Sequence, residues 1–257
     1  MRKLTVLAAA LVAACVVAVG PAGAVLYGSP DGNNHPYVGV ARFFDAQGNY
    51  LWRCSGTLIS PKVFLTAGHC VFGTASAEVW FTETAPSTAE VLSGNYTHGV
   101  TGTPYANPGY DDFATFPNTS DVGIVVLDQR VRTSTYGQLP SAGLVETLYK
   151  HTVFDIVGYG IQDAQPVQVA VVQRIAAQAM LISLQSGYSA GFNLQLSSNN
   201  GKPHQGGLCF GDSGGPVLYG STIVAVNSFV LNGNCAGSGF SYRIDQPGIL
   251  SWINSFL

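Results

Sequence analysis

Charged residues are scarce in this sequence, and those of positive sign do not cluster. Charged side chains make up 10% of the 257 residues, with 11 lysines and arginines against 14 aspartates and glutamates. A protein that binds nucleic acid needs a patch of positive charge to neutralise phosphates. Because no segment concentrates basic residues, we expect no nucleic acid among the partners.

The chain also lacks an apolar run long enough for a membrane-spanning helix. Its main apolar run, Leu4–Val19, is shorter than the roughly 20 residues that such a helix needs. A basic start before the run and an A-x-A site after it are typical of a secretory signal peptide. We therefore predict that residues 1–24 are a signal peptide cleaved after Ala24, and that the mature chain is extracellular without membrane attachment. The alternatives are an uncleaved anchor and lipoprotein processing at Cys15.

Cysteine is rare as well, with five in the whole chain. An even number remains once the leader is removed, which favours two disulfides in an exported protein and leaves three pairings open. Free buried thiols are the alternative. The four cysteines of the mature chain are Cys54, Cys70, Cys209 and Cys235.

Short strand-like segments dominate, and clusters of Gly, Pro, Asn and Asp separate them. This pattern predicts an all-β barrel or sandwich. We interpret Ser93–Thr119 as long surface loops and Val167–Leu184 as a strand, and we predict a C-terminal amphipathic helix capped by Asp245. The predicted strands are Val38–Phe44, Leu51–Ile59, Val63–Thr66, Val79–Phe81, Val122–Leu127, Val153–Val157, Gly215–Leu218 and Ile223–Ser228.

The most specific motif is GDSGGP at residues 211–216, shortly after Cys209. A serine such as Ser213 becomes a nucleophile when a base takes its proton and donors receive the developing oxyanion. Flanking glycines let the backbone approach a substrate closely. The motif therefore predicts a nucleophilic serine.

A nucleophilic serine needs a base, and the base needs a carboxylate to orient it. His69 directly follows an apolar strand and precedes Cys70, while Asp121 lies at the mouth of another apolar strand. These two residues are the candidate base and orienting acid. We interpret the other histidines, His35, His98, His151 and His204, as loop or strand-edge residues, and Asp111, Asp112, Asp128 and Asp163 as solvated acids.

Three motifs in this order resemble the chymotrypsin/trypsin-like serine peptidase family. They are LTAGHC around His69, DVGIVVL at Asp121 and GDSGGPV around Ser213, and the order His, Asp, Ser distinguishes this family from others that carry the same triad. The segments VGYG at 157–160 and VLYG at 25–28 extend the resemblance. It implies two packed antiparallel β-barrels with a C-terminal α-helix. Within one peptidase domain, 25–257, the first barrel would span about 25–140 and the second about 141–257.

The resemblance also implies a role for each site residue. Ser213 attacks the scissile carbonyl, His69 takes and returns the proton, and Asp121 orients the imidazole. The backbone N–H groups of Gly211 and Ser213 form the oxyanion hole. The implied disulfides are Cys54–Cys70 and Cys209–Cys235.

The implied substrate pocket differs from that of trypsin, which has an acid where this chain has Gly207. An arginine or lysine side chain would lose its solvation there without a partner. We therefore expect cleavage after small-to-medium apolar residues. The pocket residues are Gly207, Leu208, Ser228, Phe229, Val230 and Gly239.

The start of the mature chain suggests how activity is switched on. In the family, cleavage frees an N-terminal Ile or Val whose ammonium pairs with the acid before the nucleophile. Here those residues are Val25 and Asp212. Because the signal-peptidase site lies directly before Val25, we hypothesise that export and activation are one cleavage.

Together these features predict a secreted serine endopeptidase. We expect a monomer that acts on proteins or peptides, is a target for proteinaceous inhibitors, and uses no cofactor or metal. Glu78, Glu83 and Glu90 are interpreted as solvated loop acids, and Asn95 and Asn118 lie in glycosylation sequons. The alternatives are a catalytically inactive homologue that acts as a binding protein, and an esterase that uses the same residues.

Overall fold

The computed structural model describes residues 25–161, 172–199, 204 and 206–257. The predicted signal peptide therefore lies outside the described residues, as does Asp163. The described chain forms thirteen strands, beginning with the short strand β1 (Ser29–Pro30). None of its helices is long and apolar enough to cross a membrane.

The next six strands close into an antiparallel barrel with the order β2-β3-β4-β7-β6-β5. Apolar side chains of these strands fill its interior, and the second barrel covers part of its outside, so strands such as β2 are buried on both faces. The strands are β2 (Val38–Phe44), β3 (Tyr50–Ser60), β4 (Val63–Thr66), β5 (Ser76–Trp80), β6 (Val100–Ala106) and β7 (Gly123–Leu127).

The last six strands form a second antiparallel barrel in the order β8-β9-β10-β13-β12-β11, which closes because β11 and β9 both pair with β8. Strand β1 adds to β9. The start of the described chain therefore joins the second barrel, although the sequence places the range 25–140 in the first. The strands are β8 (Val153–Gly158), β9 (Ile175–Ser183), β10 (Asn193–Ser198), β11 (Pro216–Tyr219), β12 (Thr222–Val230) and β13 (Gly237–Arg243).

The helices are short, and the longest packs the end of the chain onto the body. The helix α3 buries Ile249 and Ile253, as its amphipathic pattern predicts. The predicted cap is wrong, because the N-cap residue is Gln246 and the Asp245 carboxylate instead accepts the backbone N–H of Val145 at 2.8 Å. The helices are α1 (Gly68–Val71), α2 (Thr88–Ser93) and α3 (Pro247–Asn254), with a 3₁₀ turn at Leu144–Thr147.

Two further stretches differ from the sequence interpretation. Ser93–Thr119 is not all loop, because it contains β6. Glu78 is not a solvated loop acid. It lies in β5 with 5% of its surface exposed and accepts hydrogen bonds from Tyr96 Oη at 2.9 Å and from the N–H of Gly99 at 2.7 Å.

A buried arginine joins the two barrels. Arg174 precedes β9 and is fully buried, and its guanidinium donates to the carbonyl oxygens of Val38 and Phe81 in the first barrel, at 3.0 Å each. It also pairs with Asp31 at 3.0 Å. Asp31 in turn bonds Nδ1 of His35 at 2.6 Å, so His35 is a partner in a buried network and not a solvated loop residue.

Candidate active site

Both barrels contribute to an open cleft of about 280 Å³. The first barrel supplies His69, and the second supplies Ser213 together with the strand residues Ser228, Phe229 and Val230. The predicted base and nucleophile therefore line the same cleft, one from each barrel.

The predicted base, His69, is held through both its ring and its backbone. His69 lies in α1, directly after β4. Its Nδ1 lies 2.9 Å from Oδ2 of Asp121, and its backbone N–H donates to Oδ1 of the same carboxylate at 2.7 Å. The disulfide Cys54–Cys70 ties the neighbouring residue to β3. The imidazole is thus fixed with Nε2 left available toward the cleft.

The two charges stabilise each other. Burial alone would lower the pKa of His69, but the negative charge of Asp121 and its hydrogen bond outweigh burial and raise that pKa. Burial alone would raise the pKa of Asp121, yet the charge and hydrogen bonds of His69 and the hydroxyl of Ser228 lower it. Asp121 is fully buried and accepts from both neighbours, which suits a permanently ionised orienting group.

The segment that carries Ser213 is held between the two barrels. On one side, the N–H of Ser55 in β3 donates to the Ser213 carbonyl at 2.8 Å; on the other, the N–H of Gly214 donates to the Asn227 carbonyl at 2.7 Å. Gly214 has φ +76°, and a side chain there would meet the Thr66 hydroxyl. Among the described residues, the Ser213 hydroxyl forms no hydrogen bond with His69. Such contacts are often long in free enzymes and tighten with substrate.

Two backbone N–H groups at the serine are unpaired within the described part of the chain. Gly211 adopts φ +95°, a conformation that favours glycine, and its carbonyl accepts the Ser55 hydroxyl at 2.8 Å. Neither Gly211 nor Ser213 uses its N–H in a hydrogen bond with the described part of the chain. These are the two donors that the resemblance assigns to the oxyanion hole.

Asp212 is buried without a cationic partner among the described residues. Its carboxylate accepts the N–H groups of Gly160 and Cys209, both at 2.9 Å, and burial raises its pKa to about 7. Val25 is fully buried in the core of the second barrel. The following residue, Leu26, pairs with Gly207, so the start of the described chain is docked on the segment that leads to Asp212.

The far end of the cleft is closed by apolar and small residues. A side chain at Gly207 would overlap the Ser198 hydroxyl, with its Cβ 1.8 Å from Oγ. A Cβ on Gly239 would lie 2.6 Å from the Leu208 side chain, so Leu208 fills the space over that glycine. Leu208 lines the cleft, whereas the predicted pocket residues Gly207 and Gly239 are not among its lining residues. The second disulfide, Cys209–Cys235, is also formed, so both disulfides have the pairing that the resemblance implied.

The sequence interpretation missed several residues that line the cleft. Tyr110, Asp112, Phe113 and Phe210 all contribute to it. Phe113 and Asp112 have positive φ in the loop after β6, and the Phe113 ring lies 5.9 Å from that of His69. The sequence offers no motif for Tyr110, Asp112 and Phe113, because a long loop determines their placement, whereas Phe210 directly precedes the GDSGGP motif.

One group of side chains in the described chain has the spacing of a metal site, namely Cys54, His69 and Cys70. Metal-binding cysteines are thiolates. Both sulfurs here are joined in a disulfide, so the group does not have the ligands that a metal requires.

Comparison with known proteins connects this geometry to a family. The family model described as Trypsin matches residues 29–253. Clotting factor C of Tachypleus tridentatus is 25% identical over 86% of this chain, and the match covers 24% of that protein. Brachyurin of Leptuca pugilator is 24% identical, with 80% of this chain and 88% of that protein covered. The chain thus spans about a quarter of the clotting factor but most of the brachyurin.

Solved structures agree on the fold. A structure of HL collagenase has a TM-score of 0.67 at 19% identity, with 86% of this chain and 93% of that chain covered. Human heparin binding protein has a TM-score of 0.64 at 19% identity, with 90% and 96% covered. At such identities the likeness establishes the two-barrel fold alone.

Proposed function

The chain belongs to the trypsin family, and we propose that it is a secreted serine endopeptidase acting through Ser213, His69 and Asp121. The observation that carries this proposal is the bond of the buried Asp121 carboxylate to His69 Nδ1, at 2.9 Å, on the cleft that Ser213 lines. A buried carboxylate in that position leaves Nε2 free to act as the base.

The reaction follows from these positions. Ser213 Oγ attacks the carbonyl carbon of the substrate while His69 Nε2 takes the hydroxyl proton, and the N–H groups of Gly211 and Ser213 stabilise the oxyanion. The imidazolium then gives the proton to the leaving amine, which departs and leaves an acyl-enzyme. Water attacks the ester with His69 again as base, and the acid product is released. Asp121 keeps its charge throughout and stabilises the imidazolium.

The walls of the cleft support a preference for small-to-medium apolar residues before the cut bond. Leu208 fills the space over Gly239, and no side chain fits at Gly207. Val230 forms part of the opposite wall. A lysine or arginine would therefore lose hydration at this end of the cleft without gaining a carboxylate partner.

Activation by export is the second part of the proposal. Cleavage after Ala24 would leave an ammonium group at Val25, whose segment is docked beside the segment leading to Asp212. A cation beside Asp212 would favour its ionised form, since burial raises its pKa to about 7 and no ion pair forms within the described residues. The new pair would hold Asp212 ionised and so fix the neighbouring Gly211 and Ser213. The named relatives of the extracellular type, such as clotting factor C, support secretion.

Labelling with a fluorophosphonate tests the reaction, because the reagent modifies only an activated serine. We expect the secreted protein to start at Val25 by intact mass, to gain one label, and to lose it in the Ser213→Ala variant. A binding protein that merely shares the fold would stay unlabelled while folded. Labelling of a chain with a longer start would refute the activation step and leave the triad assignment intact.

A further inference from the structure

Arg53 is a positive charge that has no partner among the described residues, and it lies beside the proposed oxyanion-hole segment. It lies in β3, directly before Cys54, and its buried Nε has no hydrogen-bond partner. A Cβ on Gly211 would lie 3.4 Å from that nitrogen, so the arginine side chain packs against the glycine. Within the described chain, no carboxylate forms an ion pair with Arg53.

The neighbouring side chains do not neutralise this charge. Directly across the strand pair lies Arg42, which has the same sign and directs its guanidinium toward the Pro86 carbonyl and the Thr88 hydroxyl. The buried acid that Arg53 influences is Asp212. Burial raises the pKa of Asp212, and the positive charge of Arg53 partly offsets that rise. The two side chains do not form an ion pair. A half-buried guanidinium without a counter-charge costs free energy, because it has lost part of its hydration, and pairing with an anion offsets that cost.

The position of Arg53 relative to the serine indicates what could supply that anion. The Ser213 segment is hydrogen-bonded to Asn227 of β12 on one side and to Ser55 of β3 on the other. The cleft lined by Leu208 and Val230 lies on the β12 side, whereas Arg53 belongs to β3. A peptide that places the residues before its cut bond along β12 must carry the residues after that bond across β3.

We propose that Arg53 forms a carboxylate subsite on the leaving-group side, which favours substrates with an acidic residue in the first or second position after the cut bond. The inference rests on the proposed peptidase function. Guanidinium and carboxylate groups form short, often bidentate, charge-assisted pairs. Because the Nε of Arg53 is already desolvated, such a pair should contribute more than an exposed surface pair does.

The test compares quenched fluorescent peptides that are identical except at those two positions. Each peptide carries Asp, Asn or Lys there, with the cut site confirmed by mass spectrometry. We expect kcat/KM for the Asp peptide to exceed that for the Asn peptide about 5- to 10-fold at low salt, and the ratio to shrink as salt screens the pair. The Arg53→Gln variant should bring the ratio to about 1, and Arg53→Glu should favour the Lys peptide. Arg132→Gln, which removes an equal charge from an exposed loop, should leave the ratio unchanged.

A second pair of peptides separates two sources of the carboxylate. Both carry Asn and end two residues after the cut bond, one as the free acid and one as the amide. An advantage for the free acid that Arg53→Gln abolishes would extend the subsite to chain termini. If the enzyme cleaves peptides and reacts with the fluorophosphonate, equal rates for the Asp and Asn peptides would overturn the subsite alone. Absence of both cleavage and labelling in the wild type would instead overturn the peptidase function, and the subsite with it.

Discussion

At the scale of single residues, Asp121 influences His69 through both position and charge. Its carboxylate bonds the imidazole and the backbone N–H of His69. We expect Asp121→Asn to reduce kcat by about 10⁴-fold, because an amide can stabilise the wrong tautomer and cannot stabilise the imidazolium. Since the carboxylate raises the pKa of His69, the acid limb of any residual activity should move to lower pH. Stopped assays from pH 4 to pH 9 measure both effects.

Asp111→Asn is the matched control for this substitution. Asp111 belongs to the loop that covers the cleft but makes no contact with His69, and its carboxylate bonds Thr115 within that loop. Its pH profile should coincide with that of the wild type. An equal loss in both variants would show that the loop, and not the bond to His69, controls activity.

Leu208 should set the length of side chain that the pocket accepts. It is buried and fills the space over Gly239. In the Leu208→Ala variant, kcat/KM for peptides with Leu or Phe before the cut bond should rise about 10-fold or more relative to kcat/KM for the peptide with Ala there. The larger substrate side chain would occupy the space that the truncation opens. Leu231→Ala, at a half-exposed position beyond the pocket, is the control. An unchanged side-chain profile in an active Leu208→Ala enzyme would contradict this role.

At the scale of elements, apolar strands were predictable and polar ones were not. The predicted Val38–Phe44 and Val63–Thr66 match β2 and β4, because continuous apolar runs need burial on both faces. The sequence did not predict β6, whose residues include Gly102 and Pro104. Small and polar residues there give no alternating pattern, and pairing with β5 and β7 determines the strand.

The residues of the candidate site also include some that the sequence predicts and some that it does not. His69, Asp121 and Ser213 lie in contiguous motifs, so the sequence identifies them without knowledge of the fold. Arg53 and Phe113 have no motif, because they reach the site through a strand pairing and a loop. Sequence reasoning therefore predicts the residues proposed for the reaction better than those that shape its surroundings.

Asp245 shows that a wrongly predicted cap can still stabilise the second barrel. The buried carboxylate accepts the Val145 N–H at the 3₁₀ turn and pairs with Arg243 at 2.9 Å. Asp245→Asn should lower the free energy of unfolding by about 3–5 kcal/mol, because Arg243 would lose its buried counter-charge. Urea denaturation measures the change. Glu146→Gln, which removes the exposed partner of the same arginine, should cost less than about 1 kcal/mol, and equal costs would show that burial does not matter.

At the scale of the whole molecule, the proposed switch connects the start of the chain with the oxyanion hole. The α-amino group has an ordinary pKa of about 8, and pairing with Asp212 would raise it. The active form is therefore present below the raised pKa and is lost as pH rises through it. We expect kcat/KM to fall above about pH 9 in the chain that starts at Val25.

A chain that keeps one extra residue before Val25 is the matched control, since its ammonium cannot reach the same place. It should show low activity at every pH. A profile of the Val25 chain that stays flat to about pH 11 would exclude the ion pair.

Each disulfide lies within one barrel, so the two halves are held together by noncovalent contacts and by the single chain that connects them. Those contacts include the buried bonds of Arg174 and a core cluster with members from both barrels. A cut in the exposed connection near Arg132 would therefore leave a nicked molecule that still migrates as one particle on native gel filtration. It would separate into two fragments only on denaturation. If the molecule is the protease proposed here, such tolerance of nicking would let a cut molecule stay folded and assembled.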